Sequence, residues 1–164
     1  MLAFLFSSAA YFTNGWAELA NDDASWHYIG LYPWGDTDRQ RKWWHKAPWW
    51  YLVTWILMTM AFIVQFLTSV VAAAVIVKNK KTLAVYKTNL VVSSLCCILL
   101  SLAMVLWGTK YWTERESSES PGLYVSLGYS YWLLFVAVIF SMIDVTICAY
   151  IYHRCTLQRW NESH

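Results

Sequence analysis

The sequence predicts an all-α membrane protein, a bundle of four transmembrane helices. Hydrophobic residues make up 59% of the 164 residues and charged residues only 13%, whereas about a quarter of the residues of a soluble domain are charged. Long stretches without Asp, Glu, Lys or Arg divide the chain, and the loops between them differ in charge. The net charge of +2 gives no basic field of the kind that binds nucleic acid.

Uncharged stretches predict three of the four helices. Residues 47–77, 88–109 and 120–143 contain no charged side chain. A helix needs about 20 apolar residues to cross the hydrocarbon core, and lipid-exposed backbone is satisfied only in helices or closed barrels. These stretches are too long and too continuous for barrel strands, which alternate over about ten residues. The predicted transmembrane helices are 50–77, 88–107 and 128–152.

The N-terminal segment, 1–13, is apolar but short. As a helix it reaches only about 20 Å, less than the thickness of the hydrocarbon core. A secretory signal peptide is one interpretation, because Ser8-Ala9-Ala10 offers small residues for cleavage. However, no Lys or Arg precedes the apolar stretch, as a signal peptide requires. We favour a first transmembrane helix whose beginning is short or absent, because the topology requires an even number of spans.

Loop charges orient the chain. The loop 78–87 carries Lys but no acid, and the tail 153–164 carries an excess of Arg, so both are predicted to be cytoplasmic. The loop 108–127 is rich in Glu. The loop 14–49 begins acidic and ends basic, and the basic end is the one feature that fits poorly. We assign both of these loops to the outside, which gives a multi-pass plasma-membrane protein with cytoplasmic termini. The predicted cytoplasmic basic residues are Lys78, Lys80, Lys81, Lys87 and Arg154.

Aromatic residues concentrate at the predicted outer ends of the helices. Trp and Tyr favour the headgroup level, where one edge of the ring meets lipid and the other meets water. We interpret these residues as membrane-interface anchors, and a docking surface for a partner protein is the alternative. The predicted anchors are Trp43, Trp44, Trp49, Trp50, Trp107, Trp112, Tyr129, Tyr131 and Trp132.

The sequence contains no recognisable catalytic or metal-binding motif. It has no H-E-x-x-H, no G-x-S-x-G and no glycine-rich phosphate loop, so we predict no enzyme activity, cofactor or metal. Cys96, Cys97 and Cys148 lie within predicted helices, where Cys is usually a small apolar filler. Cys155 lies just beyond the fourth helix, beside the basic tail, and is a candidate palmitoylation site. The outer loops contain no cysteine, which disfavours a thiol oxidoreductase.

Asp144 is the only charged residue inside a predicted span, about 12 Å before the inner end of its helix. An intramembrane acid is costly and normally faces the bundle interior. Three roles remain open: hydrogen bonding within the bundle, contact with a partner helix, or a proton or ion relay. The relay is disfavoured because no second ionisable group shares the membrane. The predicted hydrogen-bond partners are Gln65 and one of Ser93, Ser94 and Ser101.

The order of elements resembles the claudin and peripheral myelin protein superfamily, which has four helices, a long first outer loop and a short basic inner loop. Trp16 and Gly30-Leu31-Tyr32 are similar to that family's first-loop motif. Gly128-Tyr129-Ser130-Tyr131 resembles the opening of helix four in the claudin and epithelial membrane protein branches. The resemblance covers nearly the whole chain except the short first helix.

Other details resemble the LHFP-like (lipoma-fusion-partner-like) branch. These are Tyr28-Ile29 before the Gly-Leu-Tyr triplet, the spacing from Trp16 to Gly30, Val85-Tyr86-Lys87, and Asp144 in helix four. One departure is that the first outer loop has no cysteine pair and spans only 36 residues. The resemblance therefore implies a left-handed four-helix bundle with at most a small β-sheet in the first outer loop.

The resemblance implies a non-catalytic subunit that binds a channel, receptor or adhesion protein through lateral helix and outer-loop contacts. The alternative is a cell–cell junction or membrane-apposition protein that self-assembles in the plane of the membrane. A small transporter or channel that uses Asp144 is a second alternative. The expected partners are integral membrane proteins and lipids, with self-association and without nucleic acid. The predicted partner-binding residues are Trp16, Gly30, Leu31, Tyr32, Trp34 and Asp144.

Single cysteines introduced at Ser118 and at Thr82 test the predicted topology. We expect an impermeant thiol reagent applied to intact cells to label the cysteine at 118 and not the one at 82, because the Lys-rich loop is retained in the cytoplasm. Permeabilised cells, in which both cysteines should react, are the control. Equal labelling in intact cells would contradict the four-span topology.

Overall fold

Four α-helices and three short β-strands make up the described part of the chain. The computed structural model describes residues 2–20, 26–31, 48–78, 83–117 and 124–162. In chain order the elements are α1 (Leu2–Phe12), β1 (Ala17–Ala20), β2 (Trp26–Ile29), α2 (Trp49–Lys78), α3 (Leu83–Ser117), β3 (Tyr124–Leu127) and α4 (Tyr129–Glu162).

The helices form a closed ring in which α1 packs between α4 and α2, and α3 completes the ring on the other side. Three of them contain segments long and apolar enough to cross a membrane: Trp49–Ala72, Ala84–Lys110 and Tyr129–Gln158. Helix α1 has 11 residues and is therefore only about 17 Å long. This arrangement confirms the predicted class, an all-α membrane bundle of four helices.

Two helices continue past the predicted spans. Helix α3 begins at Leu83 and ends at Ser117, so parts of the predicted inner and outer loops are helical. Helix α4 runs to Glu162, through most of the predicted tail. The physical reason is that charged side chains end the hydrocarbon crossing without ending a helix, because Lys, Arg and Glu are good helix formers. At the start of α2, the Pro48 carbonyl accepts from the Tyr51 N–H at 3.1 Å.

A three-stranded antiparallel sheet lies at one end of the bundle, which we call the sheet end. Strand β1 is central, with β2 and β3 on its two sides. Ala17 is opposite Ile29 on one side and opposite Leu127 on the other. The sequence allowed a small sheet in the first outer loop only, and the third strand comes from the second. The sheet therefore joins the two predicted outer loops.

Two glycines allow the chain after α1 to touch the chain before α4. The Gly128 N–H donates to the Trp16 carbonyl at 3.1 Å, and the Ser130 N–H donates to the Gly15 carbonyl at 2.8 Å. A Cβ at Gly128 would overlap the Gly15 carbonyl, and a Cβ at Gly15 would overlap the Tyr129 ring. Only glycine fits at position 128, because the backbones themselves are in contact, whereas at position 15 the Tyr129 ring would have to move.

We expect Gly128→Ala to destabilise the protein by about 1–3 kcal/mol, the usual cost of overpacking. The matched control is Gly108→Ala in α3, where a Cβ would meet only the tip of a side chain, the Tyr131 hydroxyl, at 2.9 Å. There alanine also gains about 1 kcal/mol of helix propensity over glycine. Thermal unfolding in detergent and surface expression measure both effects. A Gly128→Ala protein as stable as Gly108→Ala would contradict the backbone contact.

Candidate functional site

An aromatic cluster fills the sheet end of the bundle. It consists of Trp16 from the loop after α1, Trp50 and Tyr51 from the start of α2, and Trp107 from α3. The Trp107 ring centroid lies 5.0 Å from that of Trp16, 5.3 Å from Trp50 and 5.5 Å from Tyr51. All four residues are buried. Tilted and edge-to-face pairs at these distances add stability beyond the apolar area that they bury.

Two side-chain hydrogen bonds hold the first loop on this cluster. The Trp16 indole N–H donates to the Ala10 carbonyl at 2.8 Å, which satisfies a carbonyl near the end of α1. The Tyr51 hydroxyl donates to the Gly30 carbonyl. The segment after β2 is therefore held against α2, and Leu31 beside it is fully buried.

These contacts correct part of the predicted partner-binding surface. Trp16, Gly30 and Leu31 are buried within the protein and do not face a partner. Gly30 and Leu31 hold the first loop against the bundle. A small residue is needed at position 30 because of the close contact with Asn14, and an apolar one at position 31 because that side chain is buried. A Cβ at Gly30 would lie 2.5 Å from the Asn14 side-chain oxygen.

Two of the predicted membrane-interface anchors are also internal. Trp50 is 7% exposed and Trp107 is 2% exposed, so both rings lie in the aromatic cluster rather than at a lipid–water boundary. A Trp near a helix end can lie at the membrane interface or be buried within the bundle. The sequence pattern is the same in both cases and does not distinguish them. The anchors whose side chains the structure leaves exposed are Trp49, Tyr129 and Trp132, and Tyr131 is half-buried.

Several predicted residues lie outside the described residues, and their roles stay predictions. They are Tyr32, Trp34, Trp43, Trp44, Lys80 and Lys81, together with the side chains of Lys78 and Trp112.

The remaining predicted residues of the cytoplasmic side are described. Lys87 is exposed on α3 and Arg154 is exposed on α4. The Arg154 Nε–H donates to the Tyr150 hydroxyl at 2.9 Å. Cys155 is half-buried and is not part of a disulfide, and its palmitoylation stays a prediction.

Farther from the sheet, the four helices surround a cavity of about 300 Å³ that we call the polar cavity. Each of the three long helices presents residues at helical spacing, one turn apart on a single face. Helix α1 contributes only Ala3 and Phe4 from its first turn. The polar lining residues are Gln65, Thr68 and Ser69 of α2, Asn89 and Ser93 of α3, and Ser141 and Asp144 of α4.

Hydrogen bonds tie parts of this lining together. The Ser7 hydroxyl lies 2.5 Å from the Gln65 side-chain oxygen and donates to it, which links α1 to α2. The Asn89 amide donates to the Cys148 sulfur at 3.2 Å, which links α3 to α4. Cys96 and Cys148 also line the cavity. Hydrogen bonds beside the polar cavity thus link the helices in pairs, α1 with α2 and α3 with α4.

The predicted neighbours of Asp144 are found in part. Gln65 and Ser93 line the same cavity as Asp144. Ser94 instead donates to the Leu90 carbonyl of its own helix at 2.8 Å, and Ser101 is not part of the lining. Ser69, Asn89 and Ser141 also line the cavity and were not predicted, although a helical wheel aligned on Asp144 would have placed Ser141 one turn away.

The chemistry available in the polar cavity is hydrogen bonding and ion pairing. It contains one carboxylate among hydroxyl and amide groups. Within the described ranges, no group of three His, Cys, Asp or Glu side chains is placed to hold a metal ion. Asp144 is half-buried there, and an ionised carboxylate accepts hydrogen bonds from hydroxyl, amide or cationic groups.

A ring of four helices with three long apolar spans and a sheet at one end defines a multi-pass membrane protein of the four-helix class. The family model described as "Tight junction protein, Claudin-like" matches residues 1–161, nearly the full chain. The chain belongs to this claudin-like family, which confirms the superfamily resemblance of its sequence. A search of curated proteins gives no match. Membership of the LHFP-like branch stays a prediction.

We expect Trp107→Ala to cost about 3–5 kcal/mol of stability, because it leaves a large cavity between three rings. The matched control is Trp132→Ala, since that side chain is 55% exposed and surface changes stay within about 0.5 kcal/mol. Thermal unfolding in detergent compares the two. If Trp107 were an interface anchor, the two variants would lose similar amounts of stability.

Proposed function

We propose that this claudin-like membrane protein is a non-catalytic auxiliary subunit that binds laterally to a larger membrane protein in the plasma membrane. The partner is a channel, receptor or adhesion complex. The observation that supports the proposal is the polar cavity around Asp144, which lies between helices rather than at the sheet end. The resemblance to the LHFP-like branch supports the same role.

The position of the polar cavity favours a lateral partner. Polar groups inside the hydrocarbon region are costly, and where they occur they commonly mark a functional contact. Helices α2 and α4 line the cavity from Gln65 to Ala72 and from Ser141 to Cys148. These residues belong to apolar segments long enough to cross a membrane, so a partner in the same bilayer lies at their level, whereas a protein on a neighbouring cell does not.

The second candidate is a cell–cell junction protein that assembles with copies of itself. The description of the matching family, claudin-like tight junction proteins, supports it. The sheet at one end of the bundle offers a surface for such contacts. Under this candidate the sheet end, rather than the polar cavity, carries the binding.

Purification of the tagged full-length chain in a gentle detergent separates the two candidates. We expect a stoichiometric membrane protein of another sequence to co-purify, because the lateral contact lies within the bilayer and survives in a micelle. An unrelated four-helix membrane protein with the same tag is the control. Freeze-fracture images of transfected cells that lack junctions provide the second measurement. Strands formed by this chain alone, without a partner of other sequence, would contradict the auxiliary role and support the junction candidate.

A further inference from the structure

We infer that Arg154 and Tyr150, near the inner end of α4, bind the phosphate group of an anionic membrane lipid. Both side chains are exposed, and neither lines the polar cavity. The inference rests on the membrane-spanning class of the protein and on the predicted cytoplasmic position of the tail, and it holds or fails independently of the auxiliary role.

Arg154 lies at the depth of the lipid headgroups. The exposed Trp132 near the start of α4 is a predicted anchor at the opposite boundary of the membrane, and Arg154 follows it by 22 residues. In a helix this separation is about 33 Å, slightly more than the roughly 30 Å thickness of the hydrocarbon core. The backbone of Arg154 is therefore just outside the hydrocarbon core, where lipid phosphates are found.

The Tyr150 ring holds the guanidinium group of Arg154 in one orientation. The Arg154 Nε–H donates to the Tyr150 hydroxyl at 2.9 Å, and the guanidinium carbon lies 5.4 Å from the centroid of the ring. At this distance a cation is attracted to the face of an aromatic ring. A side chain that is already oriented loses less conformational entropy when a ligand binds.

This orientation suits a phosphate group. A guanidinium group carries five N–H donors, and the contact with Tyr150 uses the one on Nε. The other four belong to the two Nη nitrogens, whose geometry allows parallel hydrogen bonds to two phosphate oxygens. The Tyr150 oxygen accepts from Nε and still carries its own hydrogen, which is a further donor for the same phosphate.

The surrounding charge favours an anion. Residues 78–113 and 145–161, which include the inner halves of α3 and α4, contain no Asp or Glu. Lys87 is exposed on α3 and adds a positive charge. The cytoplasmic leaflet contains anionic lipids such as phosphatidylserine, which basic residues near the membrane surface attract. Because the tail is predicted to be cytoplasmic, Arg154 meets this leaflet.

A stripe of exposed isoleucines favours a lipid over a phosphate ion in solution. Ile143, Ile147 and Ile151 are exposed and four residues apart, so they lie on one face of α4. Arg154 follows Ile151 by three residues and continues this face toward the inner end. An acyl chain can pack along the isoleucines while Arg154 binds the phosphate of the same lipid. A soluble ion gains nothing from the stripe.

Native mass spectrometry of the full-length protein in detergent tests the inference. The protein is titrated with phosphatidylserine or with phosphatidylcholine, whose headgroup has no net charge. We expect the first phosphatidylserine to bind about fivefold more tightly, the ratio that one basic residue contributes at an anionic surface. Arg154→Gln should abolish this preference. An unchanged unfolding temperature establishes that the bundle of the variant is intact.

Lys87→Gln is the matched control, because it removes the same charge at a similar depth. The Asn89 amide donates to the Cys148 sulfur, and Lys87 and Tyr150 are each two residues from this contact toward the inner end of their helices. We expect Lys87→Gln to retain most of the preference for phosphatidylserine, since Lys87 attracts the lipid only by its charge.

Two conservative variants separate the geometry of the contact from its charge. Arg154→Lys keeps the charge but has a single ammonium group in place of the paired Nη groups, and it should lose a large part of the preference. Tyr150→Phe keeps the ring and removes the hydroxyl that orients the guanidinium group. Its affinity for phosphatidylserine should lie between those of the unchanged protein and Arg154→Gln.

Cross-linking locates the bound lipid. Phosphatidylserine with a diazirine in its acyl chain is irradiated with the full-length protein in phosphatidylcholine vesicles, and the modified residues are identified. We expect more modification of Ile147 and Ile151 than of Val91 and Leu95, which are exposed on α3. Arg154→Gln should reduce modification of the isoleucines and leave that of α3 unchanged.

Several outcomes would overturn the inference. Equal affinity for the two lipids would show that no anionic headgroup is selected, and equal losses from Arg154→Gln and Lys87→Gln would show attraction by charge alone. Full preference in Arg154→Lys would contradict the paired contact with phosphate. Displacement of phosphatidylserine by inorganic phosphate would identify a soluble anion as the ligand.

Discussion

The direct backbone contact between the end of α1 and the start of α4 is the constraint on which the other features of the sheet end depend. Gly15 and Trp16 accept hydrogen bonds from the backbone of Ser130 and Gly128, and the hydroxyls of Thr13 and Ser130 lie 2.6 Å apart. Because this contact joins the segment that leads into β1 to the segment that follows β3, it sets these strands side by side in register. The sheet is thus a continuation of helix packing, and a Cβ at Gly128 would push these two segments apart.

The same contact places Trp16 in the centre of the aromatic cluster. Its indole is held by the Ala10 carbonyl and packs on Trp107, so α1, α3 and the first loop are fixed by one side chain. Tyr51 adds α2 through the Gly30 carbonyl. The short α1 is therefore anchored at its sheet end by packing and hydrogen bonds, which compensates for its small contact length along the bundle.

The features that a lipid bilayer requires could be predicted from the sequence, whereas those that depend on side-chain packing and strand pairing could not. The long helices were predictable because a bilayer crossing requires both length and an absence of charge. Gln65, Ser93 and Asp144 were predicted to meet, since polar groups in a span face inward, and the structure does bring them to one cavity. The burial of Trp50 and Trp107 was not predicted, because helices in a membrane are apolar on both the packed and the lipid-facing side. Strand β3 was missed because its pairing partner lies in a distant loop.

The sheet end and the region around the polar cavity differ in the side chains that hold the helices together. At the sheet end, large apolar rings pack on one another and the main hydrogen bonds are made within the chain. Around the polar cavity, hydroxyl, amide and carboxyl groups line a space that the described residues leave unfilled. Buried side-chain atoms without a hydrogen-bond partner, among them Asn14 Oδ1 and Trp107 Nε1, lie at the sheet end. The close packing of large rings therefore leaves an indole N–H unsatisfied, a cost that the burial of apolar ring surface has to offset. At the cavity, smaller polar side chains instead link neighbouring helices, as Ser7 does with Gln65 and Asn89 does with Cys148.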